Sequence, residues 1–181
     1  MLPESRMPQA DVRTDAFAAR VVGTLLATYA IKQISPETVC ENWQTTAEGK
    51  PFLKDCSVQF SITHADGIVA VAVSEQHPVG LDVERVRPLR DGFAARYFDE
   101  REQAQIRAAS DPDEALICLW TAKEAVGKYH GTGLGGRIAE IDTQQATTAV
   151  FERNGARYAL SLAPKGSLPP LEWVSFEDLV P

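Results

Sequence analysis

Asp82 and Glu84 stand two residues apart in the stretch Val79-Gly80-Leu81-Asp82-Val83-Glu84-Arg85, interleaved with aliphatic side chains. Read as a strand, the period of two buries Val79, Leu81 and Val83 and turns both carboxylates to the opposite face. Like charges held that close repel, so a pair aimed into a cleft needs a cation or a shared proton. Oxygen-only ligation suits Mg²⁺, which takes a few carboxylates and fills its remaining positions with water and substrate phosphate. Taken alone, the same alternation is the ordinary mark of a strand with one solvated face.

Further along, Trp120, Glu124 and Lys128 fall at i, i+4 and i+8 of a helical pattern, with Lys123 beside them. One helix stripe then shows an aromatic ring, a carboxylate and an amine, although a Glu-Lys pair at this spacing is also common on solvated helices. His64 closes the run Phe60-Ser61-Ile62-Thr63-His64, where a turn histidine is the plain alternative to a catalytic one. Lys50, in Gly49-Lys50-Pro51, either holds a phosphate as a point charge or is a solvated turn lysine. The glycines of Gly131-Thr132-Gly133-Leu134-Gly135-Gly136 follow a helix and lack the Walker lysine, so they do not form a nucleotide loop. Neither a Gly-x-Ser-x-Gly elbow nor a His-Glu-x-x-His helix is present, which argues against a serine hydrolase and a zinc protease.

These side chains need elements to hold them. Residues 1–14 are polar and read as loosely ordered. Asp15 is placed to cap an amphipathic helix through Phe17, Val21, Val22, Leu25, Leu26, Tyr29 and Ile34, and a shorter helix is expected after Pro36. Gly49-Lys50-Pro51 marks a turn. Strands are expected at 58–63, 68–74 and 79–85, the last two joined by Glu75-Gln76-His77-Pro78, a hairpin-sized connection. Helices follow over 99–109 and from Asp111-Pro112 to about Gly131. The rest reads as β, at 138–143, 147–153, 158–163 and 171–176, with Asn154-Gly155 as a type I′ hairpin signal. Helix then strands, twice over, predicts an α+β fold of two halves, 1–86 and 87–181, in one compact unit.

With 181 residues, 44% of them hydrophobic, the chain can bury a real core. A net charge of -7 argues against nucleic acid as a partner. Cys40, Cys56 and Cys118 are odd in number and fit no metal pattern, which favours a reducing compartment. The start has no apolar signal segment, and the run over 21–31 is too short to cross a bilayer. A cytoplasmic protein that engages no membrane is the expectation.

Taken in order, Gly49-Lys50-Pro51, Phe60-Ser61-Ile62-Thr63-His64, Val79-Gly80-Leu81-Asp82-Val83-Glu84, Phe98 with Glu102, Trp120-x-x-Lys123-Glu124-Ala125-x-x-Lys128 and Gly131-x-Gly133-Leu134 resemble the 4′-phosphopantetheinyl transferase superfamily, in its Sfp-type branch. The resemblance covers residues 49–134, with weaker similarity at 15–34 and at Val174-Ser175-Phe176-Glu177-Asp178-Leu179. It implies two similar α+β halves related by a pseudo-twofold axis, acting as a monomer, with coenzyme A and Mg²⁺ between them. By position, Asp82, Glu84 and Glu124 would gather round the metal. Lys50 and His64 would meet the 3′-phosphate end of the nucleotide, with Thr63 nearby. Lys123 and Lys128 would face the pyrophosphate and phosphopantetheine, and Glu102 would flank the site. Thr63 stands where the family usually has Ser, and only Arg6, Arg13 and Arg20 supply basic side chains up to the first helix.

The implied reaction is attack by a serine hydroxyl of an apo acyl or peptidyl carrier protein on the β-phosphate of coenzyme A, with release of 3′,5′-ADP. Such a transfer depends on charge neutralisation and positioning. Glu124 is the favoured general base, and a metal-bound water is its rival. Two other readings use the same residues: another Mg²⁺-dependent phosphotransferase or phosphohydrolase, and an inactive carrier-protein binding module. Arg85, Arg87, Arg90, Arg96, Arg101 and Arg107 form the candidate docking face for an acidic carrier, against the alternative that they pair with neighbouring carboxylates.

Overall fold

The computed structural model describes residues 12–133 and 138–180, with side chains from residue 17 onward. Arg6 and Leu134-Gly135-Gly136 therefore lie outside the described residues. Helix α1 (Val12–Ile34) begins before Asp15, which sits in its first turns rather than at a cap. Its buried stripe, Ala27 and Ile31, packs on Leu53, Val58 and Phe60. No helix follows Pro36; instead the short strands β1 (Trp43–Thr45) and β2 (Pro51–Leu53) pair around the Gly49-Lys50 turn. Propensity over so few residues is a weak signal, and the edge of Trp43 on Phe60 supplies the contact that holds β1.

Strands β3 (Gln59–Ala65) and β4 (Ile68–Ser74) form a hairpin whose turn residues Asp66 and Gly67 both have positive φ, 40° and 85°. That is the backbone a two-residue type I′ turn requires, and glycine adopts it without a Cβ penalty. The hairpin expected between 68–74 and 79–85 does not form. β5 (Gly80–Arg85) leaves β4 and pairs antiparallel with β7 (Ala156–Ala163), which also carries β6 (Thr147–Arg153), in the order β5-β7-β6. Loop length allowed either partner, and long-range pairing decided.

Between these strands lie α2 (Phe93–Tyr97), α3 (Glu100–Ala108) and α4 (Pro112–His130). Asp99 and Glu102 form a capping box on α3; Asp111 caps α4, whose first residue is Pro112 and whose end is Gly131 at φ 70°. Residues 138–140 and 143–145 are 3₁₀ turns rather than the expected strand. The segment 171–175 is likewise not a strand, and the chain closes with α5 (Phe176–Leu179). Among the described residues no helix is long and apolar enough to cross a membrane.

The architecture is α+β, with α1 laid across β3 and β4, and α4 across β5 and β7. The expected division after residue 86 falls just beyond β5, whose ladder belongs to the second of these units. The two sheets meet where β3 lies beside β5 without a backbone ladder. The N–H groups of Leu81 and Val83 donate instead to Ser61 Oγ (2.9 Å) and Thr63 Oγ1 (3.3 Å). On its other side β5 touches α4 backbone to backbone at Gly80. A Cβ there would stand 1.9 Å from the carbonyl oxygen of Ala125 and 2.4 Å from the nitrogen of Tyr129.

No rotamer relieves a clash between Cβ and backbone, so Gly80→Ala must push α4 off β5. Overpacking of this kind costs about 1–3 kcal/mol or more. A fall in the denaturant midpoint with unchanged m-value is the expected result, read by equilibrium unfolding.

Candidate active site

Asp82 lies mid-strand in β5 and is only 5% exposed. Its Oδ1 accepts from Thr63 Oγ1 at 3.0 Å and from Lys128 Nζ at 2.7 Å. Its Oδ2 is buried with no partner among the described residues. Lys128 also donates to the Leu81 carbonyl at 3.1 Å, so the ammonium ties the end of α4 to the middle of β5. Burial outweighs the attraction of Lys128 and the hydrogen bonds of Thr63 and Val83, and holds the Asp82 carboxyl above its usual range. An ionised carboxylate with one bare buried oxygen is electrostatically unfinished.

Glu84, two residues on, and Glu124, one turn before Lys128, are both half-buried. Burial and then the charge of Asp82 push each to about 7. The charge of Glu84 adds to the rise at Glu124, while Arg87 partly offsets it at Glu84. The strand and the helix thus bring three carboxylates into mutual electrostatic range. Among the described residues no three His, Cys, Asp or Glu side chains come together in a group that could hold a metal ion. Mg²⁺ does not require three such side chains, since it is commonly held by one or two carboxylates with water and substrate phosphate. Asp82, with its bare Oδ2, and Glu84 and Glu124, which feel its charge, are the carboxylates that could contribute to such a site.

Glu124 and Lys128 line a cavity of about 280 Å³ together with Lys50, Ser61, Gly131 and Gly133. Lys50 is partly committed there: its Nζ donates to the carbonyls of Val79 (3.1 Å) and Lys128 (2.9 Å). Burial and the neighbouring Lys128 lower its pKa. A second cavity, of about 220 Å³, lies elsewhere along α4 against Cys118, Gln105 and Thr148, and holds none of the predicted residues.

Residues 78–168 match the sequence profile of the 4′-phosphopantetheinyl transferase superfamily. The chain belongs to that superfamily. It is similar to the 4′-phosphopantetheinyl transferase gsp of Aneurinibacillus migulanus, at 31% identity over 77% of this chain and 60% of that one. It is also similar to the 4′-phosphopantetheinyl transferase Sfp of Bacillus subtilis, at 33% over 51% and 42%, and to AcpT of Escherichia coli, at 31% over 53% and 51%. The chain thus spans between two fifths and three fifths of the length of these relatives. A solved holo-[acyl-carrier-protein] synthase of Thermotoga maritima aligns at a TM-score of 0.36 and 23% identity over 49% of this chain and 63% of that one, too distant to bear on the site.

Within this member of the superfamily, several predicted residues stand elsewhere than expected. Lys123 does not face the cleft. It is fully buried, salt-bridged to Glu102 Oε1 at 2.9 Å, and donates to the carbonyls of Ile138, Ala139 and Ile141 at 3.1–3.4 Å. Adjacent helix positions differ by about 100°, so Lys123 and Glu124 serve different sides of α4. Glu102 does not flank the site either, because its other oxygen caps α3 by accepting from the Asp99 N–H at 3.0 Å. Thr63 is 5% exposed and its hydroxyl is spent on Asp82 and Val83, which leaves it a positioning role rather than a nucleotide contact. His64 points to the face of β3 away from Thr63, is exposed, and lies outside the cavity lining. Trp120 packs against Phe93 and Tyr97 instead of joining the Glu124 and Lys128 stripe.

Ser61 and Ser161 are the residues that sequence reasoning missed. Ser61 lines the cavity and holds the Leu81 N–H. Ser161, fully buried, stands directly across the ladder from Asp82 and bonds Thr121 of α4 at 2.8 Å and Thr148 of β6 at 2.6 Å. The only available signal was a hydroxyl recurring at alternate strand positions, which is too common to single out.

Glu84 and Glu124 hold a proton more tightly in the fold than at their ordinary value of 4.5. The stability tied to that proton is fully present below pH 4.5 and is lost as pH rises through about 7. In chelator, the melting temperature is expected to fall across this window. Glu124→Gln should flatten the fall, and a pH series of thermal melts of the two proteins checks it.

Proposed function

We propose that this protein transfers the 4′-phosphopantetheine group of coenzyme A to a serine hydroxyl of an apo acyl or peptidyl carrier protein, releasing 3′,5′-ADP, in a Mg²⁺-dependent reaction in the cytoplasm. Superfamily membership supports the reaction class. The observation that carries the assignment of the site is the bare, buried Asp82 Oδ2, whose charge helps push Glu84 and the cavity-lining Glu124 up to about 7. The Lys128 ammonium meets only one of the Asp82 oxygens, and a divalent ion bound to the pyrophosphate of coenzyme A would supply charge neutralisation to the leaving phosphate.

The chain's own residues divide the remaining work. Thr63 holds the Asp82 carboxylate in one orientation from β3. Lys128 lines the cavity on the same helix face as Glu124 and is placed to offset charge that develops on phosphate. Glu124, poised near neutrality, is suited to accept the proton of the attacking serine hydroxyl. Lys50 retains one ammonium hydrogen beyond its two carbonyl bonds, which it can direct to phosphate in the cavity.

Arg85, Arg87, Arg90, Arg96, Arg101 and Arg107 are all exposed, and none is in an ion pair among the described residues. Of the six, Arg87 acts electrostatically on a neighbouring carboxylate, Glu84. An acidic carrier protein is the partner that such a surface suits.

Incubation with coenzyme A, Mg²⁺ and a panel of apo carrier domains is expected to add a phosphopantetheine mass to the carrier serine. Phosphate release without any acceptor would assign the site to hydrolysis instead. Asp82→Asn should abolish the transfer while leaving the metal-free fold at least as stable, because it removes the charge that burial disfavours but keeps an oxygen to accept from Thr63 and Lys128. It should also lose the rise in melting temperature that Mg²⁺ with coenzyme A confers on the wild type. Retention of both the melting shift and turnover would return Asp82 to a structural role.

Reversing Arg90 and Arg96 to Glu should raise the KM for carrier and weaken its salt dependence, with the KM for coenzyme A unchanged. Steady-state kinetics over a salt series is the measurement, and an unchanged carrier KM would remove these arginines from the docking surface.

A further inference from the structure

Cys40 and Cys56 stand at the open end of the hairpin formed by β1 and β2. The ladder sets Trp43 against Leu53 and Gln44 against Phe52, and the Lys54 N–H carries it one place farther by donating to the Asn42 carbonyl at 3.0 Å. Counted two places beyond that bond, the same register brings position 40 opposite position 56. Asp55, at φ 62°, turns the chain there, and both cysteines come to lie against one apolar cluster, that of Ala27, Ile31, Leu53, Val58 and Phe60. They are close enough for the charge of Cys56 to act on Cys40. Residues that face each other across antiparallel strands stand about 4.5–5.5 Å apart at Cα, within the span that a disulfide bridges.

Both are free thiols and half-buried, so a small reagent reaches them. Neither sulfur is held firmly. Cys40 Sγ donates to the Thr38 carbonyl at 3.8 Å and Cys56 Sγ to the Val58 carbonyl at 3.9 Å, long bonds from a weak donor. A single cysteine against an apolar cluster is explained by packing; two that close one end of one hairpin have the placement of a bond. Cys118 lies on α4 beside the second cavity, in a different part of the fold.

We propose that Cys40 and Cys56 form a reversible dithiol site that takes a low-molecular-weight disulfide as its reactant, the resulting 40–56 bond fastening the hairpin whose other end lines the active-site cavity. Burial holds the Cys40 thiol above its usual range, against the opposing Lys32 ammonium, so Cys40 is a poor first nucleophile. Exchange therefore opens at Cys56. Its thiolate attacks one sulfur of the small disulfide, whose S–S bond breaks and releases one small thiolate. Cys40 then gives up its proton, attacks the Cys56 sulfur of the mixed disulfide and displaces the second. The two protein thiols lose two electrons, the small disulfide is reduced to two thiols, and the two protons end on those. In a reducing compartment the resting state is the dithiol, and the bond forms when the pool of small disulfide rises. Two three-residue strands are marginal by themselves, and the end that joins them brings Glu48, Gly49, Lys50 and Pro51 to the cavity wall. Closing the 40–56 loop removes open conformations of that hairpin. The bond itself does not rest on the proposed reaction.

The test titrates the full chain against graded ratios of glutathione to glutathione disulfide, blocks the remaining thiols by alkylation and maps the peptides by mass spectrometry. A peptide linked between positions 40 and 56, with Cys118 alkylated, is the expected product. Its equilibrium constant should be at least about tenfold higher in the native chain than in urea, because the fold holds the two sulfurs together. Hydrogen exchange of amides in residues 43–53 should slow in the oxidised chain, with β6 and β7 unchanged. Cys56→Ser should abolish the link and the slowing together, and the wild-type measurements decide the matter even where that variant fails to fold. Mixed disulfides with glutathione that never resolve to the 40–56 bond, a link to Cys118 in its place, a bond no more stable in the native chain than in urea, or a linked hairpin that exchanges as fast as the reduced one would each overturn the proposal. None of these readouts uses coenzyme A or a carrier protein, so their outcome is independent of the transferase reading.

Discussion

Everything around the cleft depends on how α4 is seated against β5. At Gly80 the two backbones are so close that a single methyl group has no room, and one turn of helix farther on Lys128 reaches down to the Leu81 carbonyl and Asp82 Oδ1. Thr121, two turns before Lys128, closes the other end of the contact through Ser161. These contacts fix the rotation and height of α4 over the sheet, and therefore where Glu124 stands relative to Asp82 and Glu84. A helix that rode 1 Å higher would separate the carboxylates, and their mutual charge effect would fade with distance.

A row of polar side chains runs beneath that helix. Thr63 of β3, Asp82 of β5, Ser161 of β7 and Thr148 of β6 succeed one another across the strands, with Thr121 bonding from above. Small hydroxyls suit this place because each both donates and accepts and none carries charge. They satisfy the polar groups around a buried carboxylate while leaving one of its oxygens bare. The same side chains replace a backbone ladder between β3 and β5, which lets two separately hydrogen-bonded sheets meet along one line.

Lys123 and Lys128 show how far identical residues on one helix diverge. Lys123 turns inward, where Glu102 and three carbonyls surround its ammonium and Phe98 lies below it at 5.5 Å. A buried ammonium needs such a full set of partners, since an unpaired one costs several kcal/mol. It thereby pins the 3₁₀ turn at 138–140 to α3 and α4. Lys128, on the cavity side, keeps part of its surface in water.

Some of this was written in the order of residues alone. The strand at Asp82 and Glu84, the helix starts at Asp99 and Asp111-Pro112, the Asn154-Gly155 turn and the Glu124 and Lys128 spacing all rest on local rules, and the structure carries each of them, although Asp82 is buried on its face of the strand as Leu81 and Val83 are on theirs. The choice of β7 over β4 as the ladder partner of β5, the inward rotation of Lys123, the commitment of Thr63 to Asp82 and the loss of the strands at 138–143 and 171–176 were not legible. Each depends on which surfaces meet after the chain has folded back on itself, and local propensity does not encode that. Residue type and spacing determined that carboxylates and a lysine would share one side of a strand and a helix. Only the tertiary contact at Gly80 decided that those two sides face each other across a buried, unfinished charge.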